Sequence, residues 1–214
     1  MVGKGLYDAA EIGWLLGHDA DWVVRWSTTS GTGAAITSPS FDRLFSFADL
    51  VSLKVGVLVR KNGVSDRHLR HGVHTLRSWT DLERPLASHP VIRSLATSGS
   101  SFLSDLRTGE FEDIGQGGQG VFQEVIRLHL TKIAFNTDGE AERWIPAEDV
   151  VIDPAIQAGT PCVAGTRVPT ATVASSLSVA DVEDVAAEFD LPEAAVRHAE
   201  EFERRLAGGF GLAA

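Results

Sequence analysis

Two short amphipathic segments near the start of the chain restrict its fold more than any other feature. The first runs from Tyr7 to Gly17, where glycine is placed to end a helix, and the second begins at Asp19, a good N-cap. Apolar side chains recur at helical spacing in both segments: Ile12, Leu15, Leu16, Trp22, Val23 and Trp26. Two short helices separated by a glycine-containing turn make a helix-turn-helix candidate.

Two longer helices are predicted after a loop at 28–39 that is rich in serine, threonine and glycine. Ser46 is placed to cap the first, which continues to a stop at 62–63, and Ser65 is placed to cap the second. The second helix has one apolar face and, on another face, a basic row made of Arg67, Arg70, His71, His74 and Arg77. We interpret it as core on one side and basic surface on the other.

Beyond residue 100 the hydrophobic period changes to that of strands. Phe111 and the segments 121–130 and 132–135 are typical of strands, with turns predicted at 116–118 and 137–139. We therefore expect a small antiparallel sheet packed between helical regions.

The last part of the chain, from Val151, begins as a turn-rich stretch that extends to Pro169. A helix is predicted to begin at Ser178 in an arrangement like a capping box, and the last helix at 190–193, with Pro192 inside its first turn. The expected fold is α+β and mainly helical. Its three regions are a winged helix-turn-helix at 1–85, a small β-rich connection at 86–150, and a helical module at 151–214 shaped like a second helix-turn-helix.

The net charge of -10 is distributed unevenly. Residues 1–85 carry 10 lysines and arginines against 9 aspartates and glutamates, residues 86–150 carry 5 against 10, and residues 151–214 carry 4 against 10. Phosphate binding needs only a local basic surface, so the nearly neutral first region is compatible with nucleic acid. The acidic last region should repel DNA and is assigned to protein binding.

Several locations and site types are disfavoured. The sequence has no run of about 18 apolar residues to span a bilayer and no signal-peptide core, which favours a cytoplasmic protein. Cys162 is the only cysteine, so an internal disulfide is excluded. The glycine-rich segment 115–120 lacks the Lys-Ser/Thr of a phosphate-binding loop.

The residues also give no sign of an enzyme. His68, His71 and His74 lie at a spacing that permits chelation, but structural or phosphate-facing roles fit their helical positions better than metal binding. Cys162 has no specific base partner and no nucleophile elbow is present. We expect no catalytic residues, no metal and no cofactor.

Motifs in the first region resemble the winged helix-turn-helix of MerR-type regulators. They are Tyr7-Asp8-Ala9-Ala10-Glu11-Ile12, Val24-Arg25-Trp26, Leu44-Phe45-Ser46-Phe47-Ala48-Asp49-Leu50 and Asn62-Gly63-Val64-Ser65. The resemblance implies a DNA reader, and such readers usually bind paired half-sites, so a homodimer is expected.

The segment 151–206 resembles the module called domain of unknown function 433. The motifs that carry this resemblance are Ile152-Asp153-Pro154, Gly159-Thr160-Pro161 and Gly165-Thr166-Arg167-Val168-Pro169. That module is associated with VapB-type antitoxins, and the whole combination resembles the longer VapB antitoxins of mycobacterial type. The resemblance implies a type II antitoxin that represses its own operon by binding operator DNA. Its implied partner is a VapC toxin, a PIN-domain ribonuclease whose site is a cluster of carboxylates holding Mg²⁺.

Arg25 is the leading candidate for base contact, because it lies where a recognition helix enters the major groove and arginine can bind guanine O6 and N7. The alternative is a solvated arginine on a short surface helix, and solvated helical faces are equally an alternative for the basic row. The full set of expected DNA contacts is Arg25, Ser27, Thr28, Arg43, Arg67 and Arg70.

Partner contacts are expected on the last helix and its surroundings. Arg204 or Arg205 could pair with the toxin carboxylates that the resemblance implies. Arg167, in a rigid turn, is interpreted first as a structural clamp and second as a partner contact. The full set of expected partner contacts is Arg167, Phe202, Arg204, Arg205 and Phe210.

Two other functions stay open. One is a stand-alone regulator of MerR type that senses a small ligand through the central sheet or binds a protein partner. The other is a metal-dependent hydrolase built on the histidines, which should purify with stoichiometric metal. A neighbouring gene for a small ribonuclease would favour the antitoxin over the regulator.

Overall fold

The computed structural model describes residues 5–29, 33–39, 42–61, 64–93 and 131–208. Within these ranges the chain forms an α+β fold, mainly helical, with two small antiparallel sheets. In chain order the elements are β1 (Leu6–Tyr7), α1 (Ala9–Leu16), α2 (Ala20–Trp26), β2 (Phe45–Ser46), α3 (Phe47–Lys61), α4 (Asp66–Thr80), a 3-10 turn (Pro85–Ala87), β3 (Ile133–Phe135), β4 (Ala141–Ala147), β5 (Val150–Ile152), a second 3-10 turn (Gln157–Gly159), β6 (Cys162–Val163), α5 (Thr170–Ser176), α6 (Val182–Phe189) and α7 (Glu193–Ala207).

Local capping contacts set the ends of α1 and α2, and those at Gly17 and Asp19 confirm the predictions from the sequence. The Asp8 carboxylate accepts the Glu11 backbone N–H at 2.8 Å, and the Glu11 carboxylate accepts the Asp8 N–H at 2.7 Å, which completes a capping box. Gly17 ends α1 in the left-handed conformation, with φ of 72°. Asp19 then caps α2 by accepting the Trp22 N–H at 2.6 Å.

The central helix of the fold is α3, in which every residue from Asp49 to Val59 is buried. It contacts α4, both strands of the first sheet and β4 of the second. A helix enclosed in this way has no solvent-facing side for its polar residues. Asp49 and Lys54 are therefore buried, at 0% and 1% exposure.

Hydrogen bonds from several donors compensate the cost of burying the Asp49 carboxylate. Its carboxylate accepts hydrogen bonds from the Ser46 backbone N–H and hydroxyl, both at 2.7 Å, and from the Thr37 hydroxyl and the Arg84 guanidinium. The Ser46 hydroxyl in turn accepts the Asp49 N–H at 3.3 Å, which confirms the predicted cap. Burial lowers the pKa of Arg84, but the hydrogen bond and charge of Asp49 outweigh that effect and leave the pKa raised.

The larger sheet is an antiparallel meander in the order β3-β4-β5-β6. The strand predicted at 132–135 and the turn at 137–139 are confirmed, since β3 covers 133–135 and the Gly139 N–H bonds to the Asn136 carbonyl at 3.0 Å. The strands β4, β5 and β6 are not among the elements predicted from the sequence. The predicted strands at Phe111 and 121–130, the turn at 116–118 and the segment 115–120 lie outside the described residues.

The three C-terminal helices form a bundle with its own small core, made by Val173, Val185, Val196 and their neighbours. The helix predicted to begin at Ser178 begins at Val182 instead, because Asp181 is its N-cap and accepts the Asp184 N–H at 3.0 Å. No helix was predicted from the sequence where α5 lies. Pro192 lies at the N-cap of α7.

The main hydrophobic core crosses the predicted region boundaries at 85/86 and 150/151. It begins at Tyr7, continues through α3 and the larger sheet, and includes Phe202 and Leu206 from α7. The described residues therefore share one main core in which the first and last regions meet. No helix among them is long and apolar enough to cross a membrane.

Candidate functional site

Arg70 holds the end of α2 and the following loop against α4. Its guanidinium donates to the backbone carbonyls of Arg25 at 2.6 Å, Thr28 at 2.9 Å and Ala34 at 3.0 Å, and the residue is 5% exposed. This arrangement revises the predicted role of Arg70 as a DNA contact. Because the guanidinium bonds three carbonyls inside the protein, it serves as an internal clamp.

Arg77 holds the next residues of the same loop against α4. It donates to the carbonyls of Ala35 at 2.7 Å, Ile36 at 2.9 Å and Glu83 at 2.9 Å. Burial lowers the pKa of Arg77, although it stays far above neutral pH in any protein environment. The basic row predicted on this helix is therefore divided, with Arg70 and Arg77 turned inward and Arg67, His71 and His74 exposed.

The clamp places two exposed sets of side chains next to each other. Arg25 and Thr28 lie at the end of α2, whose carbonyls Arg70 binds, and both are exposed. On α4, Arg67 and His71 flank Arg70 and also face solvent. We call Arg25, Thr28, Arg67, His71 and His74 the α2–α4 surface.

The hydroxyls predicted to contact DNA are already used as donors. Ser27 Oγ donates to the Val23 carbonyl at 2.7 Å, and Thr28 Oγ1 donates to the Val24 carbonyl. A hydroxyl has one hydrogen, so in this arrangement both oxygens can only accept. They suit donors such as base amino groups and do not suit phosphate oxygens. Arg43, also predicted to contact DNA, is exposed just before β2.

A close helix contact that sequence reasoning missed attaches α2 to the central helix. A Cβ on Gly56 of α3 would lie 2.7 Å from Cζ3 of Trp26, so the indole packs directly on the glycine backbone. The glycine gives no periodic signal in the sequence, and only the packing explains why a side chain is missing there.

The histidines of α4 do not converge. His68 Nδ1 lies 2.6 Å from the Ser65 hydroxyl, whereas His71 and His74 are exposed. Within the described ranges no group of three or more histidine, cysteine, aspartate or glutamate side chains is placed to hold a metal ion.

The predicted partner contacts are divided between core and surface. Phe202 is 1% exposed within the main core, so it is not available to a partner, and its predicted role is revised. Arg167, Arg204 and Arg205 are exposed. Phe210 lies outside the described residues. Thr170, three residues after Arg167, bonds to Glu203 of α7, so the Arg167 turn lies near the last turns of that helix.

A contact that was not predicted from the sequence joins the N-terminal strand to the turn-rich start of the C-terminal region. The Tyr7 hydroxyl donates to the Gly159 carbonyl at 3.1 Å, and both residues are buried. Burial, and then the charges of Glu11 and Asp153, raise the pKa of Tyr7, so the phenol keeps its proton and remains a donor. This bond attaches β1 to the second 3-10 turn.

A second unpredicted feature is a buried lysine on an aromatic ring. Lys54 Nζ lies 4.6 Å from the centroid of the Trp144 ring, and Trp144 is 0% exposed. Burial, and then the charges of Lys132 and Lys61, lower the pKa of Lys54 to about 7. Trp144 Nε1 is buried with no hydrogen-bond partner.

Residues 150–202 match a family model described as "Protein of unknown function (DUF433)". The match begins with β5 and ends within α7, so it covers the last strands and the C-terminal bundle. The predicted likeness of this region is confirmed. No curated protein matches the chain significantly.

One solved structure resembles nearly the whole chain. The X-ray crystal structure of Rv2018 from Mycobacterium tuberculosis matches with a TM-score of 0.68, covering 90% of this chain and 96% of that one at 22% sequence identity. At this identity the likeness concerns the fold. The shared architecture thus extends well beyond the C-terminal region that the family model covers.

Proposed function

We propose that this protein is a cytoplasmic type II antitoxin. Its α1–α2 pair acts as the helix-turn-helix of a winged, MerR-like reader that binds operator DNA as a homodimer and represses its own operon. Its C-terminal bundle binds and neutralises a PIN-domain ribonuclease of VapC type. The observation that carries the proposal is the match of the C-terminal region to the family that the sequence resemblance links to VapB-type antitoxins.

The α2–α4 surface supports the DNA-binding half. Arg25 and Arg67 are exposed, and neither guanidinium hydrogen-bonds to another residue in the described part of the chain. Arg70 joins α4 to the end of α2 through the carbonyls of Arg25 and Thr28. A preformed pair of arginines on neighbouring helices can bind one guanine edge and one phosphate without first releasing an internal bond.

The charge of the C-terminal bundle supports protein binding. Between Arg167 and Arg197 the sequence contains six acidic residues and no basic ones. All six side chains are exposed: Asp181, Glu183, Asp184, Glu188, Asp190 and Glu193. A ribonuclease must present basic groups to its RNA, so an acidic surface complements such an enzyme and repels DNA.

Arg25→Ala is expected to weaken binding to the DNA upstream of the gene by about tenfold to a hundredfold, the effect of one bidentate base contact. Arg67→Ala should weaken binding to all sequences and reduce the salt dependence by about one counterion. A mobility-shift titration at several salt concentrations measures both effects. Arg197→Ala is the matched control, because it removes an exposed arginine from α7 and should leave DNA affinity unchanged. Binding that ignores Arg25→Ala and salt would contradict the DNA-binding half.

The double variant Arg204→Ala, Arg205→Ala is expected to raise the concentration needed for half-inhibition of the ribonuclease by at least about tenfold, since it removes two charges that can pair with the toxin's carboxylates. An RNA-cleavage assay with increasing antitoxin measures this. Arg197→Ala again serves as the control, because Arg197 already pairs with Glu193 at 3.1 Å on the same helix. Unchanged inhibition by the double variant would remove these arginines from the inhibitory contact.

A stand-alone regulator that senses a small ligand through the central sheet is the second candidate. The observation that favours it is the buried Lys54 beside Trp144 of β4. A gene for a small ribonuclease next to this one supports the antitoxin, and its absence supports the regulator.

A further inference from the structure

The exposed face of α2 combines an apolar side chain with charged ones. Asp21, Val24, Arg25 and Thr28 are all exposed, and residues three or four positions apart lie on the same side of a helix. Val24 is 52% exposed, although α2 buries its opposite face in the core. Valine forms helices less readily than alanine, and little burial compensates that cost at this position. The fold itself therefore gains little from a valine at position 24.

Thr28 enlarges the apolar part of this face. Its hydroxyl donates to the Val24 backbone carbonyl and is therefore turned back to the helix. The methyl group is the other substituent on the threonine Cβ, and it is the one left for an outside contact. Val24 and Thr28 lie four positions apart and are neighbours on the helix surface, with the exposed Arg25 beside them. We call Val24 and Thr28 the methyl patch of α2.

The major groove of DNA presents groups that match this face. Thymine is distinguished there by its C5-methyl group, guanine by the O6 and N7 acceptors, and cytosine by its amino donor. The methyl patch complements the first, the Arg25 guanidinium the second and the Asp21 carboxylate the third. Arg67, exposed on α4, supplies a cation for phosphate. An apolar protein partner would account for the methyl patch alone, whereas DNA accounts for the whole face.

We propose that the methyl patch binds the C5-methyl group of an operator thymine in the major groove, beside the guanine that Arg25 binds. The inference rests on the DNA-binding half of the proposed function, and it adds a second base to the sequence that α2 specifies. Burying a methyl group against apolar neighbours is favourable without any hydrogen bond, so the contact selects thymine over bases that lack this group.

The test is a mobility-shift titration of the full chain with two versions of the DNA upstream of the gene. One contains thymidine, and the other contains deoxyuridine, which pairs in the same way and lacks only the C5-methyl group. Wild type should bind the uracil duplex about fourfold to tenfold more weakly, the effect of one or two buried methyl groups. Val24→Ala should bind the thymine duplex more weakly than wild type does, and its preference for thymine should fall below about twofold.

Val179→Ala is the matched control. Val179 is 88% exposed in the turn between α5 and α6, so this variant removes the same atoms from a surface outside α2 and should keep the full preference for thymine. Single uracil substitutions along the duplex then locate the thymine, and single 7-deazaguanine substitutions, which remove N7, locate the guanine. Because Val24 and Arg25 are consecutive, the two sensitive positions should lie within about two base pairs of each other.

The outcomes separate this inference from the proposed function. Equal binding of wild type to both duplexes, or a thymine preference that Val24→Ala keeps in full, overturns the inference and leaves operator binding intact. Absence of binding to either duplex overturns the DNA-binding half of the proposed function, and the inference with it.

Discussion

Replacing Asp49 with alanine is expected to lower the free energy of unfolding by about 3–5 kcal/mol, the usual cost of leaving one member of a buried ion pair uncompensated. The substitution deprives the Arg84 guanidinium, the Thr37 hydroxyl and the Ser46 hydroxyl of their shared acceptor. The Asp49 carboxylate is fully buried and the Arg84 side chain is 19% exposed, so water cannot replace the carboxylate. Urea unfolding followed by circular dichroism measures the change.

Arg197→Ala is the control for this prediction. It breaks the Glu193–Arg197 pair, whose side chains are 50% and 58% exposed, and should cost no more than about 0.5 kcal/mol. A loss for Asp49→Ala as small as the loss for Arg197→Ala would show that the network around Asp49 contributes little to stability.

Gly159→Ala is expected to cost more than about 3 kcal/mol, because two effects add. The residue has φ of +93°, a region that side chains rarely adopt, and its Cβ would lie 1.9 Å from the Tyr7 hydroxyl oxygen. Tyr7 is 4% exposed, so the ring has little room to move away. The bond that joins β1 to the 3-10 turn would also be lost. Thermal and urea unfolding report the combined loss.

Gly165→Ala separates the two effects. Gly165 has a similar φ of +78°, but a Cβ there meets nothing within 4 Å, so only the backbone cost of about 1–2 kcal/mol is expected. Combining Gly159→Ala with Tyr7→Phe removes the nearest clashing atom, and the double variant should lose less than the sum of the two single variants. Equal losses for the two alanine variants, or strict additivity with Tyr7→Phe, would exclude the steric contact.

The sequence predicts those parts of this fold that depend on neighbouring residues. The caps at Asp19, Ser46 and Ser65 and the left-handed end at Gly17 each involve contacts within a few positions. The predicted cap at Ser178 was wrong because Asp181, three residues later, is the N-cap, and its carboxylate accepts the backbone N–H of Asp184. α5 was missed because its sequence is threonine, serine, alanine and a single valine, which gives no clear apolar stripe.

The candidate site was harder to predict, because distant segments decide which polar groups are exposed. Helical periodicity places Arg70 with the charged residues of α4, and only the approach of the 28–36 loop turns it inward. Phe202 lies on the apolar stripe of α7, and the main core covers that stripe with residues far away in sequence. From the sequence alone, Lys54 would be taken for a surface lysine. The residues around it in the sequence give no sign that α3 is enclosed on all sides.

The most direct test of the proposed function is co-expression of this protein with the product of the neighbouring gene, followed by pull-down and an RNA-cleavage assay. The antitoxin proposal predicts that the two proteins purify as a complex and that ribonuclease activity appears when this chain is removed and disappears when it is restored. The proposal would be contradicted if the neighbouring gene product did not bind this chain and if the ribonuclease activity of that product were the same with and without this chain.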